Sequence, residues 1–143
     1  MRQYVVDASI VVKWVLSGEP YEQNSLSFKK DYLSGIINLN APSFVVQEVA
    51  NSLWKAVTRR RILQEDAKEA LKVLQGMRIN LREFNWVEIS EALDIAGKLN
   101  LPIYDASYLL LSEKLDTEVV TADDELYQKA KGCFKVLHIN DYQ

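Results

Sequence analysis

Cysteine is almost missing from this chain: Cys133 is the only one in 143 residues. No internal disulfide can form, and no metal site can be built on several thiolates. Histidine is as scarce, with His138 alone. An excess of basic charge is missing too. The net charge is −3, so no overall positive field draws in a polyanion. A nucleic-acid partner would have to be held by a local basic strip. No apolar run approaches the ~18 residues that span a bilayer. The chain enters a strand pattern directly from Met1, without the features of a secretory leader. No glycine-rich turn follows that strand, which sets dinucleotide binding aside. These absences lead to the expectation of a cytoplasmic protein with no membrane role.

What is present is ordinary globular material. Apolar residues make up 48% and charged residues 26% of the chain, enough apolar surface to offset the entropy of folding. The length suits one domain with one core, expected over residues 1–143. Residues 4–6 read as a buried strand, 8–16 as a helix closed by Ser17-Gly18-Glu19-Pro20, and 21–33 as a second helix. A strand over 36–39, closed by Asn40-Ala41-Pro42, precedes a helix over 44–60 with Ser43 as its N-cap. Further helices are expected over 64–77, 86–99, 102–115 and 124–131, with strands over 79–84, 118–121 and 134–139. Strands that alternate with helices imply an α/β fold with a parallel sheet covered on both faces. Ligands of such open sheets bind beyond the carboxyl ends of the strands.

Four short stretches each deliver a carboxylate toward such an edge: VVDAS with Asp7, VVQEVANSL with Glu48, PIYDASYLL with Asp105 and EVVTADDEL with Asp123. Three have ordinary structural alternatives. Asp7 and Asp123 can N-cap the helices that follow them. Asp105 lies in a first helical turn, where the dipole favours an anion. Glu48 is mid-helix and has no cap to make. At about 100° per residue, Ser52, Lys55 and Arg59 share its face, whereas Val49, Leu53 and Val57 form a separate, core-facing one. Gathering carboxylates without a cation is costly: two charges ~4 Å apart repel by about 4 kcal/mol at an effective dielectric of ~20. An all-oxygen acidic site suits Mg²⁺ or Mn²⁺. Such ions activate water and offset the charge of a phosphoryl transition state, so the chemistry implied is phosphodiester cleavage.

These segments, in this order, resemble the PIN-domain ribonucleases, and their spacing is similar to that of the VapC-type toxins of toxin–antitoxin pairs. The resemblance runs over essentially the whole chain. It implies a three-layer α/β/α sandwich with a mainly parallel central sheet. It also implies that Asp7, Glu48, Asp105 and Asp123 bind Mg²⁺ or Mn²⁺. Ser9 falls where the family often has a small polar residue near the metal. Thr121 matches a supporting hydroxyl, and Asp124 is a neighbour that could share that role. The family further implies an RNA substrate, a homodimer and a small antitoxin partner.

Lys13, Lys55 and Arg59 are candidate contacts for an RNA backbone leading to the acids. The Arg59-Arg60-Arg61 run also suits a solvated helix end. His138 is expected to be structural, because acid-based chemistry needs no imidazole. Trp14, Trp54 and Trp86 are candidates for core or dimer contacts, with Trp54 hinting at a second buried surface. Two other functions remain open on the residues alone. One is a PIN-type nuclease in RNA processing without an antitoxin. The other is a non-enzymatic acidic-pocket binding module, which leaves Glu48 unexplained.

Overall fold

The computed structural model describes residues 1–143. Strands β1 (Arg2–Val6), β2 (Ile37–Pro42), β3 (Asn80–Arg82), β4 (Glu118–Thr121) and β5 (Val136–His138) form one sheet in the order β3-β2-β1-β4-β5. Every pairing is parallel. The helices are α1 (Ala8–Val11), α2 (Glu22–Leu33), α3 (Val45–Thr58), α4 (Gln64–Gly76), α5 (Trp86–Leu99), α6 (Ile103–Leu115) and α7 (Asp124–Ala130). Tyr4, Val5 and Val6 are consecutive and all buried. Consecutive strand residues point to opposite faces, so β1 is covered on both.

The centre of the core is β1 and α6. Every residue from Ala106 to Ser112 is buried, so α6 is a helix enclosed on all sides rather than an amphipathic one. Around it pack Ile10 of α1, Val49 and Leu53 of α3, and Leu126 of α7. Local chemistry sets the helix starts. Asn85 caps α5 by accepting from the Glu88 N–H at 2.9 Å, while Glu88 accepts from the Asn85 N–H at 3.1 Å. This reciprocal box fixes the entry to α5. Asp66 likewise reaches back to the Leu63 N–H at 2.9 Å at the start of α4.

The chain builds outward from β1 to β2 and β3, then returns to add β4 and β5 on the other side. The order therefore reverses between β1 and β4, where Val6 pairs with Val120. Such a switch point opens a crevice at the carboxyl ends of the two strands. Asp7 lies one residue past the end of β1, and Asp123 two past the end of β4.

Several expected boundaries move. Strand β2 does not stop at Asn40-Ala41-Pro42 but runs through it, because these residues pair with Asn80, Leu81 and Arg82 of β3. Pro42 is tolerated as the last residue, where its missing N–H breaks no ladder interior. Ser43 does not cap α3. Its N–H donates to the Arg82 carbonyl at 2.8 Å, and Phe44 holds the cap position with no side-chain bond. The helix expected over 8–16 is α1 followed by a 3₁₀ turn, Val12–Trp14. Strands β3 and β5 are shorter than expected.

Candidate active site

Asp7 leaves β1 with extended backbone and turns its carboxylate over the start of α1, accepting from the Ser9 N–H at 3.1 Å. The Ser9 hydroxyl donates to Asp7 Oδ1 at 2.5 Å, and the Thr121 hydroxyl to Oδ2 at 2.6 Å. Those hydroxyls in turn accept from the Ala122 and Asp123 N–H groups, each at 2.9 Å. Asp7, Ser9 and Thr121 thus tie the end of β1 to the end of β4. Asp123 caps α7 by accepting from the Leu126 N–H at 3.1 Å. The two caps anticipated from sequence exist, and both capping carboxylates also face the crevice.

Glu48 approaches from α3 and Asp105 from the first turn of α6. Asp7, Glu48, Asp105 and Asp123 all line a single open cleft of about 530 Å³, together with Ser9, Ser52 and Lys55. The same cleft admits four residues that the sequence reading passed over: Gln47, Asn51, Tyr104 and Tyr108. Tyr108 is buried, and its hydroxyl donates to Glu48 Oε1 at 2.6 Å. It lies three residues after Asp105, on the same face of α6. A hydroxyl-bearing residue one turn after Asp105, on the same helical face, was the available signal for it. Gln47 and Asn51 stand beside Glu48 on α3 and could have been found from the same helical arithmetic.

The crowding of acids has electrostatic consequences. Burial pushes the Asp7 carboxyl up to about 7; the Ser9 and Thr121 hydrogen bonds oppose this, and the charges of Asp105 and Asp123 add to it. Burial also lifts Asp105 to about 6, helped by Asp123 and Glu48. Glu48 is raised by burial, against the pull of the Tyr108 hydroxyl. Desolvation penalises the ionised forms of Asp7, Glu48 and Asp105, and like charges add to the penalty at Asp7 and Asp105. A divalent cation is the natural compensation. No three Asp, Glu, His or Cys side chains close into a ready-made coordination shell. The donor set nevertheless fits a small hard ion, because all its ligands are oxygens and Mg²⁺ ordinarily keeps several of its waters.

Two expectations need correction. Lys13 is buried and lies outside the cleft, in the 3₁₀ turn after α1. Burial lowers its pKa, and the charges of Glu19 and Asp7 act against that. Asp124 does not support the last acid. It points away from the cleft to His138 Nε2 at 2.8 Å, and His138 Nδ1 accepts from the Asn140 N–H at 3.1 Å. His138 is accordingly the structural residue expected. Of the tryptophans, Trp54 is 53% exposed rather than part of the core. Lys55 lines the cleft, whereas Arg59 is exposed one turn beyond it.

The β1–β4 switch point, with its strand ends and flanking helices, brings acids from four elements into one cleft. A family model for the PIN domain matches residues 4–132. Ribonuclease VapC3 of Pyrobaculum aerophilum is 29% identical over 87% of this chain and 92% of its own length. Ribonuclease VapC9 of Mycobacterium tuberculosis is 31% identical over 83% of this chain and 84% of its own. In fold, the chain is similar to VapBC2 of Rickettsia felis, solved bound to a DNA fragment from its promoter. The TM-score is 0.65 at 15% identity, over 95% of this chain and 98% of that one. The chain belongs to the PIN-domain family and, within it, to the VapC ribonucleases.

Proposed function

We infer that this chain, acting as one nuclease domain, is an Mg²⁺- or Mn²⁺-dependent endoribonuclease and the toxin of a toxin–antitoxin pair. The observation that carries the reading is the convergence of Asp7, Glu48, Asp105 and Asp123, from four separate elements, on one cleft. Their carboxylates would hold the ion. Once bound, it would activate water and offset charge on the scissile phosphate. Asp7 is kept in place by Ser9 and Thr121, and Glu48 by Tyr108. Tyr108 leaves the second oxygen of Glu48 free to face the cleft. Lys55, in the cleft wall, supplies the one cation suited to a backbone phosphate there.

The relatives' names support RNA as substrate, and the VapBC assembly with its promoter DNA supports an antitoxin as partner. A homodimer is supported by α5, which leaves Trp86 93%, Val87 69% and Leu93 60% exposed. An apolar cluster of this kind marks an interaction surface. The test is cleavage of a labelled RNA pool with Mg²⁺, Mn²⁺ or EDTA, beside Asp7→Asn. Cleavage with either ion, abolished by EDTA and by the substitution, is expected. An active Asp7→Asn protein would overturn the mechanism.

A further inference from the structure

Tyr104 is the residue of the cleft that the acidic chemistry leaves without a task. It immediately precedes Asp105, lines the same cleft, and is 53% exposed. Its ring is not loose. It meets the edge of Phe44 at 5.0 Å between centroids, and Phe44 meets Tyr108 at 5.3 Å. Tyr108 in turn holds Glu48. The aromatic chain therefore runs from one of the acids to Tyr104, a half-exposed ring in the wall of the cleft. Gln47 and Asn51 of α3 line the same cleft. A braced aromatic ring and amide side chains in one cleft, with the ring adjacent in sequence to Asp105, suit a splayed nucleobase. The ring supplies stacking and the amides supply edge hydrogen bonds.

We propose that Tyr104 is a base-stacking platform for a nucleotide adjoining the scissile phosphate, with Gln47 and Asn51 reading that base's edge. The proposal rests on the nuclease reading above and assigns Tyr104 the positioning of one unpaired base, since a paired base cannot reach the ring. Duplex RNA keeps its bases stacked on one another, and its deep groove hides their edges.

The test uses an RNA oligonucleotide carrying a cleavage site mapped in the pool assay. Copies in which each nucleotide flanking the cut is abasic are measured beside it. The full chain, Tyr104→Ala, Tyr104→Phe and Tyr104→Trp are compared by KM and kcat. Tyr104→Ala should raise KM for the intact oligonucleotide by roughly 5- to 100-fold, the range of a lost base–aromatic stack, with kcat changed less. Phe and Trp should restore it. On the oligonucleotide abasic at the stacked position, wild type and Tyr104→Ala should have equal kcat/KM. An equal loss on intact and every abasic oligonucleotide overturns the proposal, as does no loss at all. So does an unchanged RNA KM with loss of binding to a protein partner. A wild-type chain that cleaves no RNA with either ion would instead overturn the nuclease reading, and this proposal with it.

Discussion

Asp7 is pulled in two directions. Two hydroxyls and a backbone N–H favour its ionised form, yet burial and the neighbouring acids outweigh them and raise it to about 7. In the unfolded chain the same carboxyl titrates near 3.8. The folded state therefore holds this proton more tightly, and stability falls as pH rises from about 4 to about 7. Asp105, raised to about 6, acts in the same sense up to that pH. Cation-free protein should accordingly melt at a lower temperature at pH 7.5 than at pH 5. Asp7→Asn, which carries no charge to bury, should flatten that slope. At pH 7.5 it should add stability on the order of 2 kcal/mol. Thermal melts at the two pH values check this, and a less stable Asn variant at pH 7.5 would count against it. Tyr108→Phe removes the hydroxyl that orients Glu48 and leaves the ring in place. The concentration of Mn²⁺ giving half-maximal activity should rise ~10-fold, as for other supporting partners of metal ligands. An unchanged requirement would make Tyr108 a packing residue only.

At the scale of elements, the acids and their helices were legible because each lay beside an apolar run of clear period. Asp7 and Asp123 follow strand patterns, and Glu48 interrupts the helical pattern that buries Val49 and Leu53. What the sequence hid was anything settled by pairing or packing across elements. Asn40-Ala41-Pro42 has the composition of a turn, yet β3 recruits it into the sheet. Ser43 has the chemistry of a cap, yet its N–H is taken by the β3 ladder. Lys13 has the charge of an RNA contact, yet it is buried in the 3₁₀ turn after α1 and outside the cleft. Helix α3 carries the clearest test at this scale. Lys55 is in the cleft wall and Arg59 beyond it, so Lys55→Glu should weaken RNA binding more than Arg59→Glu does. Its salt dependence, as the slope of log K on log salt, should fall by about 1. Titrations at several salt concentrations decide between them, and equal effects would place the strand elsewhere.

For the whole molecule, the net charge of −3 and the acidic cleft oppose RNA unless cations intervene. On the proposed function, a divalent cation should promote substrate binding as well as chemistry. The exposed face of α5 gives a second consequence. Trp86→Glu with Leu93→Glu should convert a dimer to a monomer by light scattering, and an unaltered mass would move the dimer contact to another face. The central claim is that acids from four elements act as one metal site, although no three of them close into a finished shell on their own. Calorimetric titration of Mn²⁺ into the wild type and into Asp7→Asn, Glu48→Gln, Asp105→Asn and Asp123→Asn tests it most directly. Each substitution should weaken binding ~10-fold or more, Glu48→Gln included. Wild-type affinity in the Glu48→Gln protein would contradict the account.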